Sequence, residues 1–188
     1  MADLSLAQLE SADLKRAQLR NAVLVEVQLK AADLTETQME GANLGGAQLQ
    51  EAILEKVQLK DADLRGATLE GANLRGAQLN GANLEGAQLQ GACLTGAHLK
   101  ETNLSHTKLY KATLDRAQLD GANLISAGLR GATFTSTDFT NATLNEAALQ
   151  ALTNYKWTRR PDDGQLHPVG PADGWAEGRR RRRPAAHQ

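Results

Sequence analysis

The feature that most constrains this chain is an apolar residue that returns at every fifth position from Leu4 to Leu149. The 30 units run without a slip and comprise 27 leucines, Met39, Phe134 and Phe139. Two residues before each of these stands a small or β-branched residue, which is alanine in 24 units and valine or threonine in the other six. A repeat of this regularity decides the fold, because each unit buries its apolar face only by stacking against its neighbours.

A period of five fits neither a regular helix nor a straight strand. Successive leucines would be turned by about 140° in an α-helix and would alternate between the two faces of a strand. Alanine and leucine within one unit are two residues apart and share a face. The pattern therefore predicts a short extended segment with both side chains pointing inward, followed by a turn.

The glycines indicate where these turns lie. Eleven of the 13 glycines in residues 1–150 stand two positions after the inward residue, which favours a turn with positive φ. Glu51, Lys56 and Arg116 occupy the same position in their own units. The turn must therefore also accept ordinary residues.

The residue before each inward leucine indicates the number of walls. Asp or Asn stands there in nine of the 15 odd-numbered units and Gln in nine of the 15 even-numbered units, with Asp138 alone in a Gln position. If like residues stack on like, the number of walls is even, and two walls cannot enclose leucines. Four walls are the simplest solution, which gives residues 1–150 about 7.5 coils, with Asn and Gln ladders between the coils.

Units such as "ANLRG", "ANLEG" and "ADLRG" match the motif A-(D/N)-L-x-x. Over residues 1–150 the chain resembles the pentapeptide-repeat proteins. The resemblance implies an all-β solenoid, a right-handed four-sided β-helix. The best-understood members of that family bind DNA gyrase as DNA mimics and protect it from quinolones, and they are dimers joined at their C-termini. Gyrase and a second copy of the chain are therefore the partners that the resemblance implies.

The repeat ends after Leu149, and all four prolines and both tryptophans follow residue 150. Residues 145–157, "NEAALQALTNYKW", are predicted to form a short helix that begins at Asn145. Residues 151–178 are expected to be a cap or a dimerisation segment, irregular from Arg159 onward. The contacts expected there come from Leu149, Leu152, Tyr155 and Trp157. Residues 179–188 are predicted to be a flexible tail, with a candidate polyanion-binding run at Arg179, Arg180, Arg181, Arg182 and Arg183. Direct binding of nucleic acid is not expected elsewhere in the chain.

The charge of the repeats is distributed unevenly among the four predicted walls. Residues 1–150 carry 13 basic and 18 acidic side chains, against eight and four in the rest of the chain. The wall through Leu4 and every twentieth residue after it has a net charge of −4. It carries Arg65 and a candidate acidic partner-binding face of Asp3, Glu26, Asp63, Glu85 and Glu146. The walls through Leu9, Leu14 and Leu19 carry +1, 0 and −2.

This acidic face is thin for a DNA mimic. DNA carries one charge per about 1.7 Å, so a rod about 36 Å long would need on the order of twenty negative charges to imitate it. The leading hypothesis is therefore a rigid scaffold for protein–protein interaction. A gyrase-protecting DNA mimic is the alternative.

Catalysis and metal binding find little support in the sequence. Cys93 and His98 lie on adjacent predicted walls, with His106 near them, so these candidate metal ligands do not converge. The Ser and Thr residues have no His–acid pair placed to activate them, and the glycines keep the turn spacing rather than forming a phosphate loop. We expect no cofactor, no metal and no enzymatic activity.

The expected location is the cytoplasm. Cys93 is the single cysteine, which excludes an intramolecular disulfide and fits a reducing compartment. The start "MADLSLAQLE" lacks the features of a signal peptide, and no apolar run approaches the length of a membrane span.

Overall fold

The computed structural model describes residues 2–145, Trp157–Arg159 and Leu166–Pro168. From Leu4 to Phe139 a turn follows every inward residue. Twenty-five isolated parallel bridges, from Asp3–Val23 to Asn123–Thr143, each join residues that are 20 positions apart. Four units therefore make one coil, and the four-walled β-helix predicted from the Asn/Gln alternation is confirmed.

Backbone hydrogen bonds tie each coil to the next. We name each wall by its first inward leucine, giving the Leu4, Leu9, Leu14 and Leu19 walls. On the first of these, the Leu4 N–H donates to the Val23 carbonyl oxygen at 2.8 Å, and the Val23 N–H donates to the Ala2 carbonyl oxygen at 2.9 Å. A third bond, from Leu6 N–H to the Val25 carbonyl oxygen at 3.0 Å, joins the turns. These three hydrogen bonds recur along the walls, so successive coils are joined although the walls contain only isolated bridges and no continuous strands.

The corners are β-turns with positive φ at their third residue. The Ala7 N–H donates to the Leu4 carbonyl oxygen at 3.1 Å, and the φ of Leu6 is 60°. Among the described residues, eleven glycines and 17 others adopt this conformation, including Glu51 and Lys56 at 58° and 54°. A residue with a side chain loses about 1–2 kcal/mol in this region, so glycine is favoured at the corners without being required.

The interior is an aliphatic column. The inward leucines from Leu24 to Leu124 are at most 1% exposed, and alanines fill the space between them. Phe134 and Phe139 take the inward position near the end of the described repeats, with ring centroids 5.5 Å apart. Some threonines replace alanine and donate their hydroxyl protons to leucine carbonyl oxygens at 2.7–2.8 Å, namely Thr37 to Leu14, Thr102 to Leu79 and Thr137 to Leu114.

After the repeats the structure describes two short antiparallel strands, β1 (Trp157–Arg159) and β2 (Leu166–Pro168), with Trp157 opposite Pro168. Two predictions are therefore wrong in part. Trp157 belongs to a strand and not to the end of a helix, and the chain from Arg159 onward is not wholly irregular. The sequence "PDDG" at 161–164 separates the two segments and is of the turn-forming kind that lets them pair as a hairpin. Residues 146–156 of the predicted helix lie outside the described residues.

Candidate functional site

The outward residue before each leucine controls the neighbouring turn. On the Leu4 and Leu14 walls an Asp or Asn oxygen accepts the N–H two residues later, as in Arg75 N–H to Asn73 Oδ1 at 3.2 Å. On the Leu19 wall the longer glutamine reaches backwards, and Gln78 Nε2 donates to the Gly76 carbonyl oxygen at 3.0 Å. Gln58 and Gln78 thus serve the turn before them, whereas Asn73 serves the turn after it.

The predicted ladders form only in part. Asn103 Nδ2 donates to Asn83 Oδ1 at 3.1 Å, and Asn123 Nδ2 donates to Asn103 Oδ1 at 3.2 Å. No glutamine bonds to a glutamine of the next coil in the described part of the chain. The expectation of glutamine ladders was therefore wrong, because the glutamine amides that bond to protein are used within their own coil or by Lys108.

The described members of the predicted acidic face lie on the Leu4 wall, spread over several coils. Asp3 stands in the row before the leucines, whereas Glu26 and Glu85 are exposed at the corner. Hydrogen bonds from the Ser5 N–H and hydroxyl lower the pKa of the Asp3 carboxyl. Glu146, the fifth predicted member, lies outside the described residues.

Asp63 contributes less negative charge to this face than the sequence suggests. Arg65 donates to its carboxylate from Nε, at 2.9 Å to Oδ1 and 3.0 Å to Oδ2, and from Nη2, at 2.6 Å to Oδ2. These bonds hold the pKa of Asp63 below its ordinary value and outweigh the partial burial that raises it. Asp3, Glu26 and Glu85 remain as the carboxylates of the described face that form no ion pair.

Sequence reasoning missed ion pairs that join successive coils at two corners. Arg16 Nε lies 2.9 Å from Glu36 Oε2, and Arg20 Nε lies 3.2 Å from Glu40 Oε2. These two pairs flank a depression of about 460 Å³ above Gln38 on the Leu19 wall. A search for opposite charges 20 residues apart would have found them. Such exposed pairs contribute at most about 1 kcal/mol each.

Sequence reasoning also missed a basic patch on the Leu9 wall. Lys108, Tyr110, Lys111 and Arg130, which we call the basic strip, lie on two adjacent coils and are all exposed. The Lys111 N–H donates to the Arg130 carbonyl oxygen at 3.0 Å, so the two cationic residues are neighbours. The wall's net charge of +1 concealed them, because its acidic residues lie in earlier coils, up to Glu70. A charge count taken coil by coil would have revealed the strip.

The three candidate metal ligands lie at separate places on the rod. Cys93 bridges Asn73 and Thr113 on the Leu14 wall, His98 lies on the Leu19 wall, and His106 lies at a corner of the Leu4 wall. Within the described residues, no three His, Cys, Asp or Glu side chains come together as a metal ion requires. The Cys93 thiol lies 3.5 Å from the Thr95 hydroxyl oxygen.

Several predicted residues fall outside the described part of the chain, namely Leu149, Leu152, Tyr155, Arg179, Arg180, Arg181, Arg182 and Arg183. For Trp157 the structure gives only a backbone position in β1. No helix among the described residues is long and apolar enough to cross a membrane.

A column of leucines inside four hydrogen-bonded polar walls defines a repeat protein of the β-solenoid class. The family model for pentapeptide repeats matches residues 2–41, 28–66, 58–96, 94–124 and 117–150. The chain therefore belongs to the pentapeptide-repeat family, whose members are known as right-handed quadrilateral β-helices and are typically non-enzymatic structural or interaction proteins. No curated protein sequence is significantly similar to it.

Solved structures of the family resemble the chain. A pentapeptide repeat protein from the Arabidopsis thaliana thylakoid lumen is 27% identical with a TM-score of 0.51, over 68% of this chain and 85% of its own. HetL, involved in heterocyst differentiation regulation in the cyanobacterium Nostoc sp. strain PCC 7120, is 28% identical with a TM-score of 0.42, over 88% and 81%. QnrB1, a plasmid-mediated fluoroquinolone resistance protein, is 22% identical with a TM-score of 0.48, over 72% and 71%. The likeness to the thylakoid-lumen protein supports the fold.

Proposed function

We propose that this chain is a non-enzymatic scaffold that presents flat polar walls to a partner protein in the cytoplasm. The observation that carries the proposal is the unbroken 20-residue register from Asp3 to Thr143. Because no insertion interrupts it, equivalent outward residues stand in straight rows on each wall. A rod of this kind offers an extended surface whose side chains are held in fixed positions before a partner binds, which lowers the entropic cost of association.

One charge reversal on each wall tests the proposal. The four substitutions change exposed residues that lie outside the leucine column, namely Glu85→Lys, Lys111→Glu, Arg75→Glu and Asp61→Lys. Purified wild type and variants serve as bait, and captured proteins are quantified by mass spectrometry after circular dichroism has verified the fold. A scaffold predicts a protein that one variant loses and the other three retain. Equal capture by all four variants would contradict a wall-specific interaction.

A DNA mimic that protects gyrase from quinolones is the second candidate function. The unpaired carboxylates Asp3, Glu26 and Glu85 on the Leu4 wall favour it, and the Asp63–Arg65 pair weighs against it. Gyrase supercoiling with ciprofloxacin is measured with wild type and with the Glu26→Lys/Glu85→Lys variant. Glu51→Lys is the matched control, since Glu51 is exposed at the same turn position as Glu26 but on the Leu9 wall.

The outcomes separate the two functions. Protection that is lost only in the double variant would establish the mimic. Protection that survives in both variants would mean that the Leu4 wall is not the gyrase-binding face, and no protection by wild type would leave the scaffold alone.

Dimerisation through the C-terminal end forms part of the same proposal, because apolar residues recur from the last repeat onward, in 149–157. Sedimentation of wild type and of the Leu149→Asp/Leu152→Asp variant tests it. A dimer that becomes a folded monomer in the variant supports this contact, and a monomeric wild type excludes it.

A further inference from the structure

We propose that the basic strip on the Leu9 wall binds single-stranded nucleic acid. The strip consists of Lys108, Tyr110, Lys111 and Arg130, on the last two coils of this wall that the structure describes. This activity goes beyond a scaffold for proteins. It is independent of the arginine run at 179–183.

The first support is a local excess of positive charge. The two segments that form this part of the wall and its corners, 105–111 and 125–131, contain three Lys or Arg residues and no Asp or Glu. Among the described residues none of the three cations forms an ion pair, and Lys108 only donates to Gln88 Oε1 at 3.3 Å. Cations without internal partners are available to phosphates, and pairing with them releases counterions.

The second support is an exposed aromatic ring among these cations. Tyr110 is 43% exposed, and its ring passes over the backbone of Gly128 in the next coil. A Cβ at residue 128 would lie 2.5 Å from Tyr110 Cζ, so the ring occupies the place where a side chain would begin. Gly128 does not have positive φ, unlike the corner glycines. Its lack of a side chain here serves the ring and not a turn.

The third support is a pocket beside the ring. It has a volume of about 370 Å³ and is lined by Tyr110, Ser126, Ala127, Gly128, Leu129, Arg130 and Asn145. Its lining combines apolar atoms with the Tyr110 ring, and Arg130 stands at its side. A planar base could lie against the ring while the phosphates of the same strand meet Arg130 and Lys111.

This combination favours single-stranded nucleic acid over other polyanions. Proteins that bind single strands join a basic surface, which follows the backbone, to aromatic side chains on which bases stack. A carboxylate-rich peptide would use the cations but would leave the ring and the pocket unused. A duplex would do the same, because its bases already stack on one another.

The test measures fluorescence anisotropy of labelled oligothymidylate of about 15 nucleotides, a length that matches known single-strand sites. All proteins carry the full chain with glutamine in place of Arg179, Arg180, Arg181, Arg182 and Arg183, so that the tail does not contribute. The charge variant is Lys108→Glu/Lys111→Glu/Arg130→Glu. The control variant is Lys56→Glu/Arg75→Glu, which reverses two exposed cations on the Leu14 wall. Thermal melts verify that each variant is folded.

We expect the charge variant to lose binding and the control to retain it. Three phosphate contacts predict that the logarithm of the binding constant falls with the logarithm of salt concentration with a slope of about −2. Tyr110→Leu is expected to weaken binding about five- to hundredfold at an unchanged salt slope, because it removes stacking and keeps the charge. Gly128→Ala should weaken binding in the same direction, because its Cβ displaces the ring.

Two controls identify the ligand class. Polyglutamate and a duplex of the same length are used as competitors. If either competes as well as the single strand and Tyr110→Leu binds normally, the strip is a general polyanion site, and the proposal fails. The proposal also fails if the protein whose only changes are the five tail glutamines binds no oligonucleotide at low salt. It fails as well if the charge variant binds as tightly as the control variant.

Discussion

Asn103 connects three coils of the Leu4 wall, because it donates to Asn83 Oδ1 at 3.1 Å and accepts from Asn123 Nδ2 at 3.2 Å. The same Asn103 Oδ1 accepts the N–H and the hydroxyl proton of Ser105 at 3.1 and 2.8 Å. By contrast, the side chain of Asn73 on the Leu14 wall forms a single hydrogen bond, in which it accepts the N–H of Arg75 at 3.2 Å. One amide thus serves a turn and two neighbouring coils at once.

Replacing Asn103 should therefore cost more than replacing Asn73. We expect Asn103→Ala to lower the free energy of unfolding by about 2 kcal/mol and Asn73→Ala by about 1 kcal/mol, in proportion to the hydrogen bonds lost. Urea denaturation of both variants checks this. Equal losses would mean that the ladder adds nothing to the turn bond.

The inward and outward assignments are tested at two adjacent residues. Leu74 is 0% exposed in the leucine column, and Arg75 is exposed next to it. Leu74→Asp places a carboxylate in the apolar interior and should unfold or aggregate the protein, whereas Arg75→Asp should change stability by less than about 0.5 kcal/mol. Thermal denaturation measures both. Similar melting temperatures for the two variants would overturn the assignment.

Removing a glycine from one corner and introducing a glycine at another should have opposite effects on stability. A Cβ at Gly66 would meet no atom within 4 Å, so the cost of Gly66→Ala comes from φ +65° alone and should be about 1 kcal/mol. Lys56 has a side chain at φ 54°, and Lys56→Gly should stabilise the protein by about 0.5 kcal/mol after the greater freedom of the unfolded chain is subtracted. Chemical denaturation resolves the signs. Two destabilised variants would show that the corner conformation is not strained for Lys56.

Acid should weaken the Asp63–Arg65 pair. Arg65 lowers the pKa of Asp63 from its ordinary value of 3.8 in the folded state. The stability from this pair is therefore present above that value and is lost as the pH falls through the lower, folded-state pKa. Because both side chains are partly exposed, the effect should stay below about 1 kcal/mol.

Unfolding of wild type, Asp63→Asn and Arg65→Gln between neutral and acidic pH measures this contribution. Each variant should be less stable than wild type at neutral pH, and the difference should shrink in acid. A difference that is independent of pH would show that the charge of Asp63 is not the cause.

Much of the fold followed from the sequence, because the repeat states the geometry many times. The leucine period identified the inward face. The alternation of Asp or Asn with Gln in successive units, as at Asp33 and Gln38, indicated the number of walls. Contacts set by side-chain length were not predictable from this pattern. The backward reach of Gln78 to the Gly76 carbonyl oxygen is one example, and the Tyr110 ring over Gly128 is another. The latter joins residues 18 positions apart, which no periodicity marks.

The segment after the repeats was predicted less well, for a physical reason. Trp157 lies in β1, which pairs with the separate segment β2, and the local three-residue spacing of apolar residues gave no sign of this pairing. The acidic face shows the same difficulty at a smaller scale. The 20-residue register placed Asp63 on the correct wall, but a count of charges could not show that the Arg65 guanidinium binds its carboxylate.

The 20-residue register also limits how a gene for such a chain can grow. Duplication of 20 codons adds a coil and keeps every later residue on its original wall. Duplication of five codons moves all later residues to the next wall, so that Lys111 and Arg130 would leave the side of the rod on which Gln28 and Gln48 lie. Interior packing accepts both events equally, since every unit brings its own leucine. Natural selection for a binding face, and not for stability, would therefore distinguish lineages that expand by whole coils from those that expand by single units.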